Sequence, residues 1–183
     1  MGSIQTFLEQ DHARLDALLA RAVADPAQID ETAYAEFRAG LLRHIAMEEK
    51  VLLADAKSRR GGDPLSAAAQ LRLDHAAIAA MLAARPDAEL VADLRALLVQ
   101  HNHIEEGDGG VYAQCERHAG ADVDALLRRL HDVPPARPAP YSPRARIAAE
   151  IRRAIDAAQR ARSSSEVRHV AKALPRRLGG EVT

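Results

Sequence analysis

One pattern occurs twice between Asp11 and Glu106 of this 183-residue chain. "DHARLDALLA", starting at Asp11, returns as "DHAAIAAMLA" from Asp74, and "LLRHIAMEE", from Leu41, returns as "LVQHNHIEE" from Leu98. Each half reads as a helix bearing Asp-His followed by a helix bearing His-x-x-x-Glu-Glu. A helical hairpin cannot bury its apolar face alone. Two copies related by a pseudo-two-fold axis can close on each other.

The apolar spacing supports four helices. Their stripes are Ile4, Leu8, His12, Leu15, Leu19; then Tyr34, Phe37, Leu41, His44, Glu48, Leu52; then Leu65, Ala68, Leu71, His75, Ile78, Leu82; then Leu90, Leu94, Leu97, His101, Glu105. Steps of three and four residues are those of a helix with one buried face. Ser3, Asp30 and Asp87 stand where the first, second and fourth helices should begin, and Pro26, Pro64 and Pro86 lie in the connections. Short connections make neighbours antiparallel, so the fold class is all-α, an antiparallel up-down four-helix bundle. A further short helix is expected over Asp122–His131. Apolar content rests on Ala and Leu, and aromatics make up only 3%, which suits packed helices rather than sheets.

Each stripe carries a histidine close to its helix midpoint, so in such a bundle His12, His44, His75 and His101 share one level of the core. Glu48 and Glu105 follow their histidines one turn on, along the same face. A lone histidine on an apolar face is ordinarily a hydrogen-bonded core residue. Four at one level, in two matched halves with two carboxylates in register, are not explained that way. Leaving a buried charge unpaired costs on the order of 3–5 kcal/mol, and the stripes hold no Lys or Arg. A pair of divalent cations bound by four imidazoles and two carboxylates resolves the charge. Zn and Mn suit the same donors.

The order His, His-x-x-x-Glu, His, His-x-x-x-Glu, with "HIAMEEKVLL" and "HNHIEEGDGGVY" around the two acidic pairs, resembles the hemerythrin-like (HHE cation-binding) family over about residues 1–120. The resemblance implies a four-helix bundle with a non-haem di-iron centre, His12 and His44 serving one iron, His75 and His101 the other, Glu48 and Glu105 bridging. Two departures stand out. Leu71 and Ala79 flank His75 where oxygen carriers of the family have a further histidine, which leaves one iron an additional site for water, a small ligand or an unrecognised donor. Ala54 and Ala113 replace the usual prolines.

Other polar residues are weaker candidates. His103 faces away from His101, and Glu49 and Glu106 point off the stripe, either solvated or supporting a ligand. Tyr112 reads as a core aromatic able to donate a hydrogen bond toward a bound ligand. Gly107, Gly109 and Gly110 interrupt the fourth helix. Cys115, the only cysteine, reads as a small buried hydrophobe; a single cysteine permits no intrachain disulfide and excludes a cysteine-rich zinc or iron–sulfur site.

Charge divides the chain. Residues 1–133 hold 14 Lys and Arg against 22 Asp and Glu, and residues 134–183 hold 11 against 4. The expected organisation is a metal-binding bundle over 1–132, a Pro-rich linker over 133–143 and a basic helical C-terminal extension over 144–183. The extension reads as a helix docking on the acidic bundle, or as a helix that meets a partner or a membrane surface. It has no stacking aromatics and no nucleic-acid motif. No run approaches the roughly 20 apolar residues of a membrane span, and the N-terminus has no secretory pattern, so a cytoplasmic protein is expected.

Three functions fit these residues. The first is a di-iron protein that binds or transforms oxygen, nitric oxide or peroxide with electrons from an external donor, since no flavin or nicotinamide motif is present. The second is a non-enzymatic iron or redox sensor, or an iron-handling protein, acting through its basic extension. The third is a helical interaction module without metal. Catalytic residues and oligomeric state are not encoded in any recognisable motif.

Overall fold

The computed structural model describes residues 3–25, 27–142 and Arg160; the expected basic extension lies outside them apart from Arg160. The described residues form helices joined by turns and loops, without a strand. The first helix, α1 (Ile4–Ala22), begins where Ser3 Oγ accepts the Thr6 N–H at 2.9 Å. Asp30 caps α2 (Glu31–Met47) by accepting from Thr32 and Ala33. That helix passes through a π-helical segment, Glu48–Leu52, into α3 (Leu53–Arg59). After a turn come α4 (Ala68–Leu82) and, capped by Asp87 on Leu90 N–H, α5 (Ala88–Glu106). Two shorter helices follow, α6 (Val111–Ala119) and α7 (Val123–His131), with a 3-10 turn between them.

The π-helical segment departs from the plain helix that the spacing predicts. The Leu53 N–H bonds to the Glu48 carbonyl, five residues back. Val51, Leu52 and Leu53, in and just after the widened turn, are buried in succession. Such turns are frequent at functional sites, and this one begins at Glu48.

Helix α1 packs on α2, α4 on α5, and α6 against α1, α3 and α5. Their apolar faces build two clusters. The first includes Ile4, Leu8, Met47, Leu52, Leu71, Val111 and Cys115. The second includes Leu15, Leu19, Phe37, Leu41, Ile78, Met81, Leu94 and Leu98. Along α1 the chain goes from Leu8 in the first cluster to Leu15 in the second; α4 repeats this from Leu71 to Ile78. The order is reversed in α2, from Leu41 to Met47, and in α5, from Leu98 to Ile104, which packs on the first cluster. In each helix the histidine falls between the two clusters, so the fold leaves one polar layer between two apolar ones.

Residues 133–142 are not a loose spacer. Arg43 Nε donates to the Val133 carbonyl at 2.8 Å, and Arg38, itself buried, donates to the Ala139 carbonyl at 2.8 Å and lies over the Tyr141 ring. Ser142 N–H bonds to the Ala83 carbonyl at 2.9 Å. Proline lacks an N–H, which keeps such a stretch out of helix and sheet but leaves carbonyls free to accept from arginine. Among the described residues, no helix is long and apolar enough to cross a membrane.

Candidate metal centre

Helix spacing sets the site. His44 and Glu48, and His101 and Glu105, are one turn apart on α2 and its π-helical continuation and on α5; His12 and His75 reach the same layer from α1 and α4. All six side chains are buried. The rings of His12 and His44 lie with centroids 4.4 Å apart, those of His75 and His101 4.8 Å apart.

Two groups of donor atoms result, His12, His44, Glu48 and Glu105 in one and Glu48, His75, His101 and Glu105 in the other, with the atoms of each within 4.8 Å of one another. Both carboxylates belong to both groups and divide their oxygens between them. Glu48 Oε1 is 3.2 Å from His44 Nε2, and its Oε2 is 3.1 Å from His75 Nε2. Glu105 Oε2 is 3.6 Å from His12 Nε2, and its Oε1 is 3.2 Å from His101 Nε2 and 4.0 Å from His75 Nε2.

The outer nitrogen of every ring is held by a further carboxylate. His44 Nδ1 donates to Asp11 at 2.9 Å, His75 Nδ1 to Glu49 at 2.8 Å and His101 Nδ1 to Asp74 at 3.4 Å; His12 Nδ1 donates to Glu106. Donation from Nδ1 turns the Nε2 lone pair toward the centre, the arrangement by which outer carboxylates orient metal-binding imidazoles. Sequence reasoning left Glu49 and Glu106 open between solvent and support, and did not use Asp11 and Asp74. The signal for the aspartates was the Asp-His pair present in both halves.

The inward atoms test whether protons or cations suit the layer. Glu48 Oε2, Glu105 Oε1 and His75 Nε2 are buried with no hydrogen-bond partner, although His75 Nε2 and Glu48 Oε2 stand 3.1 Å apart. With neutral imidazole these two atoms oppose lone pair to lone pair, which is costly to bury, and a cation held by both removes the cost. Without a cation, proton sharing must compensate. Burial pushes the His44 and His101 imidazoles down, but Glu48 and Asp11 beside the first, and Glu105 and Asp74 beside the second, lift both to about 10. Burial also raises the carboxyls. His44 and His75 nevertheless hold Glu48 well below its usual range, whereas Glu105, facing the Glu48 charge, stays raised.

The hemerythrin HHE cation-binding domain model matches residues 3–108, which include all six inward-facing side chains. The chain belongs to the hemerythrin HHE cation-binding family. No curated protein and no solved structure gives a significant match. A hemerythrin-like domain implies cation binding, and the His and Glu groups fit that role.

Two further residues of this hemerythrin-like domain bear on the centre. Cys115 is buried, and burial followed by the charges of Glu48, Asp55 and Glu105 pushes its thiol up to about 12, as a small hydrophobe rather than a nucleophile. Tyr112 is fully buried too, but its hydroxyl lies inside the polar layer, 2.6 Å from Glu48 Oε1 and 3.0 Å from Glu105 Oε2. The sequence suggested a hydrogen-bond donor there, not one that touches both shared carboxylates. His103 is exposed.

Proposed function

We propose that this hemerythrin-like domain holds two non-haem iron ions in an antiparallel up-down bundle and binds or reacts with a small oxidant such as oxygen, nitric oxide or peroxide. His12 and His44 would hold one ion, His75 and His101 the other, and Glu48 and Glu105 both. The observation that carries the reading is the division of each shared carboxylate, one oxygen to each histidine pair, with unpartnered buried atoms among them. The alternating passage of α1, α2, α4 and α5 between the two apolar clusters supports the up-down arrangement.

Bound iron would supply redox chemistry and coordination positions for a small ligand. The chain's part is to place and insulate it. Asp11, Glu49, Asp74 and Glu106 hold the imidazoles by Nδ1 and keep Nε2 inward. The two carboxylates supply negative charge that the apolar clusters could not otherwise accommodate, and those clusters keep bulk water from both sides of the layer. The electrons would come from an external donor.

Anaerobic loading with ferrous iron followed by elemental analysis tests the metal reading: two irons per chain are expected, and fewer than one overturns it. Mixing the loaded protein with oxygen, nitric oxide or peroxide then separates turnover from a stoichiometric change, the behaviour of a sensor or store.

A further inference from the structure

We propose that the Tyr112 oxygen is an additional protein donor to the cation held by His12 and His44, so that the two ions of the centre have unequal donor sets. This rests on the two-metal reading above. The hydroxyl touches every inward atom of one group. It lies 2.6 Å from Glu48 Oε1, 3.0 Å from Glu105 Oε2, and 3.3 Å from both His44 Nε2 and His12 Nε2.

A phenol has one proton and can donate it to one of these four atoms. The Nδ1 atoms of His12 and His44 already donate to Glu106 and Asp11, so in the neutral imidazoles that metal binding requires both Nε2 atoms present lone pairs. Four electron-rich atoms around one hydroxyl are poorly served by a single O–H. The same five atoms, phenol oxygen included, form a compact donor set for a cation. The other group has no counterpart. Three of its inward atoms, Glu48 Oε2, Glu105 Oε1 and His75 Nε2, are buried without a hydrogen-bond partner.

The backbone places the tyrosine deliberately. Helix α5 stops at Glu106, Gly109 takes a positive φ of 66°, and Gly110 N–H closes the turn on the Gly107 carbonyl at 2.6 Å. The chain then re-enters the core at Val111 and Tyr112. A Cβ at Gly110 would meet the Glu105 carbonyl oxygen at 2.5 Å, so only glycine lets α6 start this close to a site carboxylate. Tyr112 lies four residues past the end of the segment, residues 3–108, that the family model matches.

On cation uptake the Tyr112 O–H bond breaks heterolytically. The oxygen keeps the electron pair and donates to the ion, the proton leaves to buffer, and no electron is transferred.

The test is ferric loading of the full chain and of Tyr112→Phe, with iron content, visible absorption and resonance Raman read on both. The wild type should show a phenolate-to-iron(III) charge-transfer band with tyrosinate ring vibrations, and Tyr112→Phe should lose both while its iron content stays within twofold of the wild type. The wild-type Raman spectrum decides the point even if the variant fails to fold, because Tyr34 lies in the second apolar cluster and Tyr141 under Arg38. Two irons per chain without tyrosinate vibrations would overturn the proposal alone. Fewer than one iron in the wild type would overturn the metal reading with it.

Discussion

Asp11 precedes His12 in the chain, yet its carboxylate accepts the Nδ1 proton of His44 on the next helix, at 2.9 Å. Asp74 stands in the same relation to His101, one residue after it in sequence being His75. Each Asp-His pair thus gives its histidine to the centre and its aspartate to a neighbouring helix's histidine. Truncating such an outer carboxylate typically costs 10–100-fold in metal affinity. Asp11→Ala is expected to weaken binding by about that factor, measured by competition with a chromophoric chelator; unchanged affinity would show that Asp11 only decorates the helix.

Glu48 and Glu105 differ from the histidines in belonging to both groups. Glu48→Ala should therefore lower metal content at both positions, whereas His12→Ala should chiefly affect one. Elemental analysis of the two variants side by side reads the difference. Equal losses would argue against shared carboxylates.

In the metal-free protein the raised imidazoles set the pH response. His44 and His101 are lifted from 6.5 to about 10, so the folded state binds their protons more tightly than the unfolded chain does. Their contribution to stability is fully present below pH 6.5 and is lost as pH rises toward about 10. The thermal midpoint of metal-free protein should fall over that window. Metal-loaded protein should resist the fall, since ligation requires neutral imidazole and competes with protons. A flat profile without metal would contradict the charge arrangement described here.

Gly110→Ala drives a methyl group against the Glu105 and Gly107 carbonyl oxygens, at 2.5 and 2.7 Å. Backbone cannot swing aside as a side chain can. A loss of about 1–3 kcal/mol is expected, the usual cost of overpacking, readable by urea unfolding. The same variant should displace Tyr112 and weaken its spectroscopic signature before metal content is lost.

The six inward-facing residues were legible because helix periodicity converts spacing into direction: four residues return to the same face. The same rule hid their partners. Asp11, Glu49, Asp74 and Glu106 lie off the stripes, and each acts on a ring from a different helix, a pairing that depends on which helices touch and at what height. The sequence offered Tyr112 as a hydrogen-bond donor toward a ligand, but not its contact with both carboxylates, because helical counting from Glu105 loses its meaning across the helix break at Gly107–Gly110. The π-helical turn at Glu48 likewise leaves no mark in composition.

Local chemistry in the sequence was sufficient to determine the four long helices, the caps Ser3, Asp30 and Asp87, and the histidines and glutamates that interrupt the apolar faces, because each depends on neighbours within one or two turns; α3 and α6 were not legible as separate helices. Tertiary packing alone decided that each shared carboxylate divides its two oxygens between two histidine pairs, that every imidazole leans on an acid from another helix, and that Tyr112 enters one half of the centre and not the other. Those are distances between atoms from different segments, and they exist only once the apolar clusters have brought the segments together.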